Sequence, residues 1–242
     1  MPRRTTKGLA AQRRKILEKA LTHVPFDGWT ERSLRQGAVD AGLDDTILHR
    51  AFPGGPADAI EFWSTETDQK MAAALAKQDI TELKIRERIA AAVHWRLEAA
   101  APRREAVRRS LSYLAQPQHA GLGLRCLYRT VDEMWHAAGD TATDFNFYTK
   151  RGLLAGVYAS TLVVWLNDRS EGCTDSWSFL DRRIEDVMRI QKAKGRLSRF
   201  RPPGASLLDL LRRSARQPRG PAAADAPTGP PTEPGEGSSA RA

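Results

Sequence analysis

Residues 28–53 read GWTERSLRQGAVDAGLDDTILHRAFP, and this stretch decides the fold. Apolar residues recur at three- and four-residue spacing on either side of Gly42, which predicts helices over 30–42 and 45–52 joined by a tight turn. Ala38 permits close approach of the two helices, and Leu34, Leu43, Leu48 and Phe52 supply a small core. A helix over 9–23, carrying Ile16-Leu17-Glu18-Lys19-Ala20-Leu21, precedes the pair. Together they have the form of a helix-turn-helix.

The charge of this unit has the wrong sign for a nucleic-acid reader. From Trp29 to Phe52, Glu31, Asp40, Asp44 and Asp45 outweigh Arg32, Arg35 and Arg50, a net of −1. Phosphate contacts supply most of a DNA binder's affinity, so the sign argues against duplex binding. Asp44 has a second reading as the cap of the following helix, and Arg32 and Arg35 keep the option of touching phosphate.

The chain as a whole carries +9 over 242 residues, and the location of that charge is informative. Residues 1–19 hold +6, residues 189–219 hold +9 and residues 220–242 hold −2, which leaves an acidic body of −4 over 20–188. Basic flanks on an acidic body suit an anionic surface, either nucleic acid or phospholipid headgroups. Two cysteines, Cys126 and Cys173, without CxxC or His-rich spacing, predict neither disulfide nor zinc and fit a reducing compartment. The basic N-terminus lacks an apolar signal region, so no cleaved presequence is expected. The longest apolar run, 152–166, falls short of the roughly 20 residues of a membrane span.

Further helices are predicted over 56–78, 82–100, 103–116, 120–138, 145–168, 174–194 and 205–214, with no alternating strand pattern. Pro56 and Pro102 stand near first turns, and Thr143-Asp144 and Thr174-Asp175 offer capping oxygens. This predicts an all-α chain with four parts: a basic N-terminus and helix-turn-helix over 1–55, a helical domain over 56–195, a basic amphipathic segment over 196–217, and a Pro/Gly/Ala/Ser tail over 218–242 that cannot bury enough apolar surface to order.

Residues 16–53 resemble the DNA-binding subdomain of TetR proteins. Asp144-Phe145-Asn146-Phe147-Tyr148-Thr149-Lys150-Arg151, then Leu154-Ala155-Gly156, with Met134-Trp135-His136 before and Trp177 to Ile184 after, closely resembles the ubiquinone-biosynthesis accessory family, over roughly residues 12–190. That resemblance implies a TetR-like helical bundle, a bound isoprenoid quinone lipid with no other cofactor, and assistance to the di-iron demethoxyubiquinone hydroxylase. It also implies a patch meeting that enzyme at Trp135, Asp144, Phe147, Tyr148 and Arg151. Phe147 stands where many relatives carry Trp, so aromatic character persists without an indole N–H. On their own, the same residues read as a helix cap and core aromatics, and exposure decides.

Helix 145–168 is apolar nearly all round, the mark of a helix enclosed by protein or lining a cavity, and Gly152 and Gly156 leave a bare strip on one face. Leu127, Val131, Leu154, Tyr158, Leu162, Trp165, Trp177, Leu180, Ile184 and Met188 lie on helical stripes that serve equally as solid core or as the lining of an isoprenoid pocket. Near the C-terminus, Leu207, Leu208, Leu210 and Leu211 gather on one face beside Arg212 and Arg213, the form of a short interfacial helix on an anionic membrane; packing back onto the domain or onto a second copy is the other reading.

Glu133-x-x-His136 is half of a di-iron signature without its second copy, so no metal is expected, and no nucleophile–base pair or phosphate loop is evident. The expectation is a non-enzymatic lipid-binding accessory protein, cytoplasmic and peripheral to the inner membrane, and a homodimer by analogy with its fold. A ligand-responsive TetR-type regulator and an unassigned helical scaffold are the alternatives.

Overall fold

The computed structural model describes residues 3–78, 80, 82–139 and 146–199, with side chains except at 3–7, 146–147 and 190–199. Among the described residues there are α and 3-10 helices and no strand: α1 (Arg3–Asp27), α2 (Glu31–Asp40), α3 (Asp45–Ala51), α4 (Pro56–Leu75), α5 (Ile85–Glu98), α6 (Arg104–Leu114), α7 (Ala120–Ala137), α8 (Asn146–Asn167) and α9 (Thr174–Arg199). The predicted helix at 205–214 lies outside the described residues.

Local chemistry accounts for the boundaries. Before α2, the Thr30 hydroxyl accepts from the Ser33 N–H and the Ser33 hydroxyl accepts from the Thr30 N–H, each at 3.2 Å, a reciprocal cap. Asp44 caps α3 by accepting from the Ile47 N–H at 2.8 Å. Gly42 sits at φ +69°, in the left-handed region the turn between α2 and α3 requires. The first helix is longer than its apolar pattern suggested. It passes through Pro25, which costs little in the last turn, where Gly28 closes the end by donating to Val24.

Two apolar clusters form within residues 1–193. The first belongs to the helix-turn-helix, where α1 buries Ile16, Leu17, Ala20, Leu21 and Val24 against Leu34, Ala38, Leu48 and Phe52. The closest approach is at Gly37: a Cβ there would lie 2.5 Å from the backbone nitrogen of Ala20, so α1 and α2 touch backbone to backbone. Trp29 ties this cluster to α6 by donating its indole N–H to the Ala106 carbonyl at 3.3 Å. The second cluster joins α4, α5, α7, α8 and the first turns of α9 around Met71, Val93, Met134 and Trp165.

Candidate functional site

Where α4 to α8 surround one another they do not meet fully. Ala100, Ala115, Ala120 and Ala159 put small side chains on the wall, and a cavity of about 580 Å³ lies between the helices. That volume is in the range of small-molecule sites. Ile60, Leu97, Leu111, Leu114, Leu127 and Leu162 form most of the wall, and Trp63 adds an aromatic face. Leu124 and Val163 also line it, yet both are exposed large hydrophobics, so the cavity opens between α7 and α8.

One part of the wall is polar. Arg96, Thr130 and Tyr158 reach the cavity from α5, α7 and α8, and Asp68 of α4, 1% exposed, stands behind them. Asp68 accepts from Arg96 Nε at 2.9 Å and from the Thr130 hydroxyl at 3.0 Å, and Arg129 Nε lies 3.6 Å from its second oxygen. Arg129 in turn donates to the Glu61 carboxylate at 3.2 Å. Burial pushes the Tyr158 phenol above its usual range, with Arg96 opposing and Asp68 adding to the shift. Burial works against the Arg96 charge, but Tyr158 and Asp68 more than offset it. The wall therefore presents a charged guanidinium and a neutral hydroxyl.

The candidate lipid residues separate into three groups. Leu127, Tyr158 and Leu162 line the large cavity. Leu154, Ile184 and Met188, with Trp135, line a smaller one of about 160 Å³. Val131, Trp165 and Leu180 are fully buried in the second cluster, while Trp177 is half-buried, its ring 3.9 Å from that of His94 and its N–H donated to the Gly172 carbonyl. Sequence reasoning missed Trp63, Asp68 and Arg96. The signal for the last two was present, since each is a charge on the buried side of its helix.

The candidate partner residues diverge as well. Tyr148 is 72% exposed. Trp135 is half-buried beneath the Lys150 ammonium, 5.5 Å from the ring centre. Arg151 is buried, its Nε donating to Asp132 at 2.5 Å, so it fastens α8 to α7. Asp144 and the Phe147 side chain lie outside the described residues, as do Leu207, Leu208, Leu210, Leu211, Arg212 and Arg213. No three His, Cys, Asp or Glu side chains among the described residues come together as a metal site, and no helix among them is long and apolar enough to cross a membrane.

At the helix-turn-helix, Asp44 and Asp45 are exposed at the start of α3, and Asp45 pairs with Arg35 at 3.3 Å. The surface a DNA groove would meet is thus acidic, with one of its arginines already paired.

Comparison with known proteins places these features. The family model described as COQ9 matches residues 120–191, which hold α7, α8 and most of α9. Mitochondrial ubiquinone biosynthesis proteins COQ9 of rat and human are 36% and 34% identical to this chain over 183 residues, covering 73% of it, and the Drosophila melanogaster protein is 31% identical over 187 residues. The chain spans 58%, 57% and 56% of those three relatives. A TetR transcriptional regulator from Nitrosomonas europaea superposes with a TM-score of 0.58 at 20% identity, over 72% of this chain and 95% of that one, so the fold is TetR-like.

Proposed function

We propose that this chain, whose residues 120–191 match the COQ9 family model and which is 36% and 34% identical to the rat and human COQ9 proteins, serves ubiquinone biosynthesis without chemistry of its own, by carrying a polyprenyl quinone intermediate and presenting it to the demethoxyubiquinone hydroxylase. The observation that carries this reading is the apolar cavity of about 580 Å³ among α4 to α8, open between Leu124 and Val163. An apolar chamber with one polar wall fits a molecule that is mostly hydrocarbon with an oxygenated end. Of the candidate docking residues, Tyr148 supplies exposed aromatic surface, which suits a protein interface, whereas Arg151 acts from inside by holding α8 against α7.

The membrane is the source of such a lipid, and the basic amphipathic segment at 196–217 would give reversible attachment to anionic headgroups. Pairing of two copies belongs to the same reading. The Gly152 and Gly156 strip of α8 is open, with nothing within 4 Å of an added Cβ, and is a candidate face for it.

Organic extraction of the purified protein followed by mass spectrometry tests the proposal. A prenylated quinone or its precursor is expected in the extract, and the hydroxylase is expected to co-purify with the wild type and to be lost on Tyr148→Ala. An extract free of isoprenoid quinones overturns the carrier role. Retention of the hydroxylase by Tyr148→Ala overturns the docking assignment.

A further inference from the structure

We propose that Arg96 and Tyr158 form a ring-recognition site inside the cavity, donating hydrogen bonds to neutral acceptor oxygens on the aromatic ring of the bound lipid. The inference rests on the carrier reading above and gives it a polarity, because it fixes which end of the lipid lies deep in the chamber while it is carried.

Two side-chain donors reach the chamber, from Arg96 and Tyr158. Arg96 uses its Nε on Asp68, and among the described residues its terminal Nη groups donate to nothing, although the residue lines the cavity. Tyr158 is only 7% exposed and its hydroxyl likewise has no hydrogen-bond partner among the described residues. Both groups border the chamber, so an acceptor oxygen placed inside it can take these donors in place of water. The Arg96 fork can address two oxygens in a plane at once, which matches oxygens on neighbouring atoms of a ring.

Charge then selects among ligands. Asp68 and Glu61 face Arg96 and Arg129, so this end of the chamber is electrically balanced before any ligand enters. A carboxylate placed there would add an uncompensated buried charge, whereas carbonyl, methoxy or phenol oxygens would not. Fatty acids are thereby disfavoured relative to a quinone or phenol.

Depth sets the orientation. On α7 the polar Thr130 lies six residues beyond Leu124 at the opening, roughly 9 Å along the helix axis at ~1.5 Å per residue. The ring then sits at the inner, polar end and the tail runs outward past Leu127 and Leu162 to Leu124 and Val163. A prenyl tail longer than the chamber can emerge there without disturbing the ring contacts.

The test uses the full chain and three probes with the same decyl tail: a ubiquinone analogue, decylbenzene and decanoate, followed by quenching or shift of tryptophan emission, Trp63 standing in the cavity wall. Wild type is expected to bind the quinone at least tenfold more tightly than either other probe. Tyr158→Phe, which keeps the ring packing, should lower quinone affinity about tenfold and leave decylbenzene unchanged. Because Arg96→Gln alone would strand the Asp68 carboxylate, Asp68→Asn/Arg96→Gln supplies the second variant and should act in the same direction. Quinone affinity unchanged in both variants, equal weakening of quinone and decylbenzene, or a preference for decanoate overturns the ring-recognition site while leaving the cavity as a lipid site. Failure of all three probes to bind wild type overturns both.

Discussion

In the helix-turn-helix, Ile16, Ala20 and Leu34 are fully buried and Gly37 presses its backbone onto Ala20; in the α4 to α8 bundle, Ala100, Ala115 and Ala159 line an open chamber. Both regions are made of aliphatic and aromatic residues on helices of ordinary length. The difference lies in where the small residues stand. At the helix-turn-helix a glycine lets two helices close together, and the result is a tight joint. In the bundle the small side chains of Ala100, Ala115 and Ala159 line the chamber wall and leave its volume unfilled. Apolar content alone therefore does not report function; the spacing of the helices behind it does. The region that resembles a DNA reader is the rigid end, and the region open to a ligand lies behind it.

The sharpest test of this contrast is truncation of large side chains in each region. Phe52→Ala removes a ring buried at 2% exposure in the tight joint and should cost about 3–5 kcal/mol in chemical denaturation. Leu127→Ala on the half-buried cavity wall should cost less than about 2 kcal/mol, because part of its surface faces no partner atoms. Equal costs would erase the distinction. Next in size, Gly37→Ala forces α1 and α2 apart and should destabilise by about 1–3 kcal/mol in the same assay.

A third test concerns the corner that holds α9 behind the bundle. Asp168 accepts from the backbone N–H groups of Ser170 and Ser176, each at 2.8 Å, and from both hydroxyls. The Ser170 and Ser176 hydroxyls, ahead of the backbone bonds, hold its carboxyl well below the usual carboxylate range. The folded form thus binds fewer protons than the unfolded chain near the ordinary carboxylate pKa. Its stabilisation is complete above about pH 5 and is lost as the pH falls below ~4 towards the folded value. Asp168→Asn should cost on the order of 1–3 kcal/mol at neutral pH, and thermal melts of wild type and variant should converge in acid. The smallest effect is expected from Asp44→Ala, which removes the α3 cap and should cost about 1 kcal/mol without touching the cavity.

The helices were legible in the sequence because their periodicity and caps are local. Asp44 illustrates how far that reading extends: its two roles could not be separated until the Ile47 N–H was found on its carboxylate. Gly37 was overlooked in favour of the adjacent Ala38, since which face of α2 meets α1 depends on a helix seventeen residues away. The cavity was legible only as an alternative to solid core, although Leu127, Tyr158 and Leu162 do line it. Leu162 and Leu180 occupy equivalent apolar stripes, yet one lines the chamber and the other lies in solid core, a difference set by the distance between helices. Asp68 and Arg96 were the available clue, because a charge pair on buried helix faces needs a reason to be there.

The central claim is that the bundle's chamber is where the lipid resides. It is tested by thermal or chemical melts of wild type and of a variant with the chamber filled, Leu127→Trp/Ala159→Phe, each with and without a short-chain prenyl quinone. A ligand at 100 times its Kd should stabilise wild type by about 2.7 kcal/mol and leave the filled variant, still folded by circular dichroism, unmoved. Equal stabilisation of both proteins, or of neither, would contradict the account.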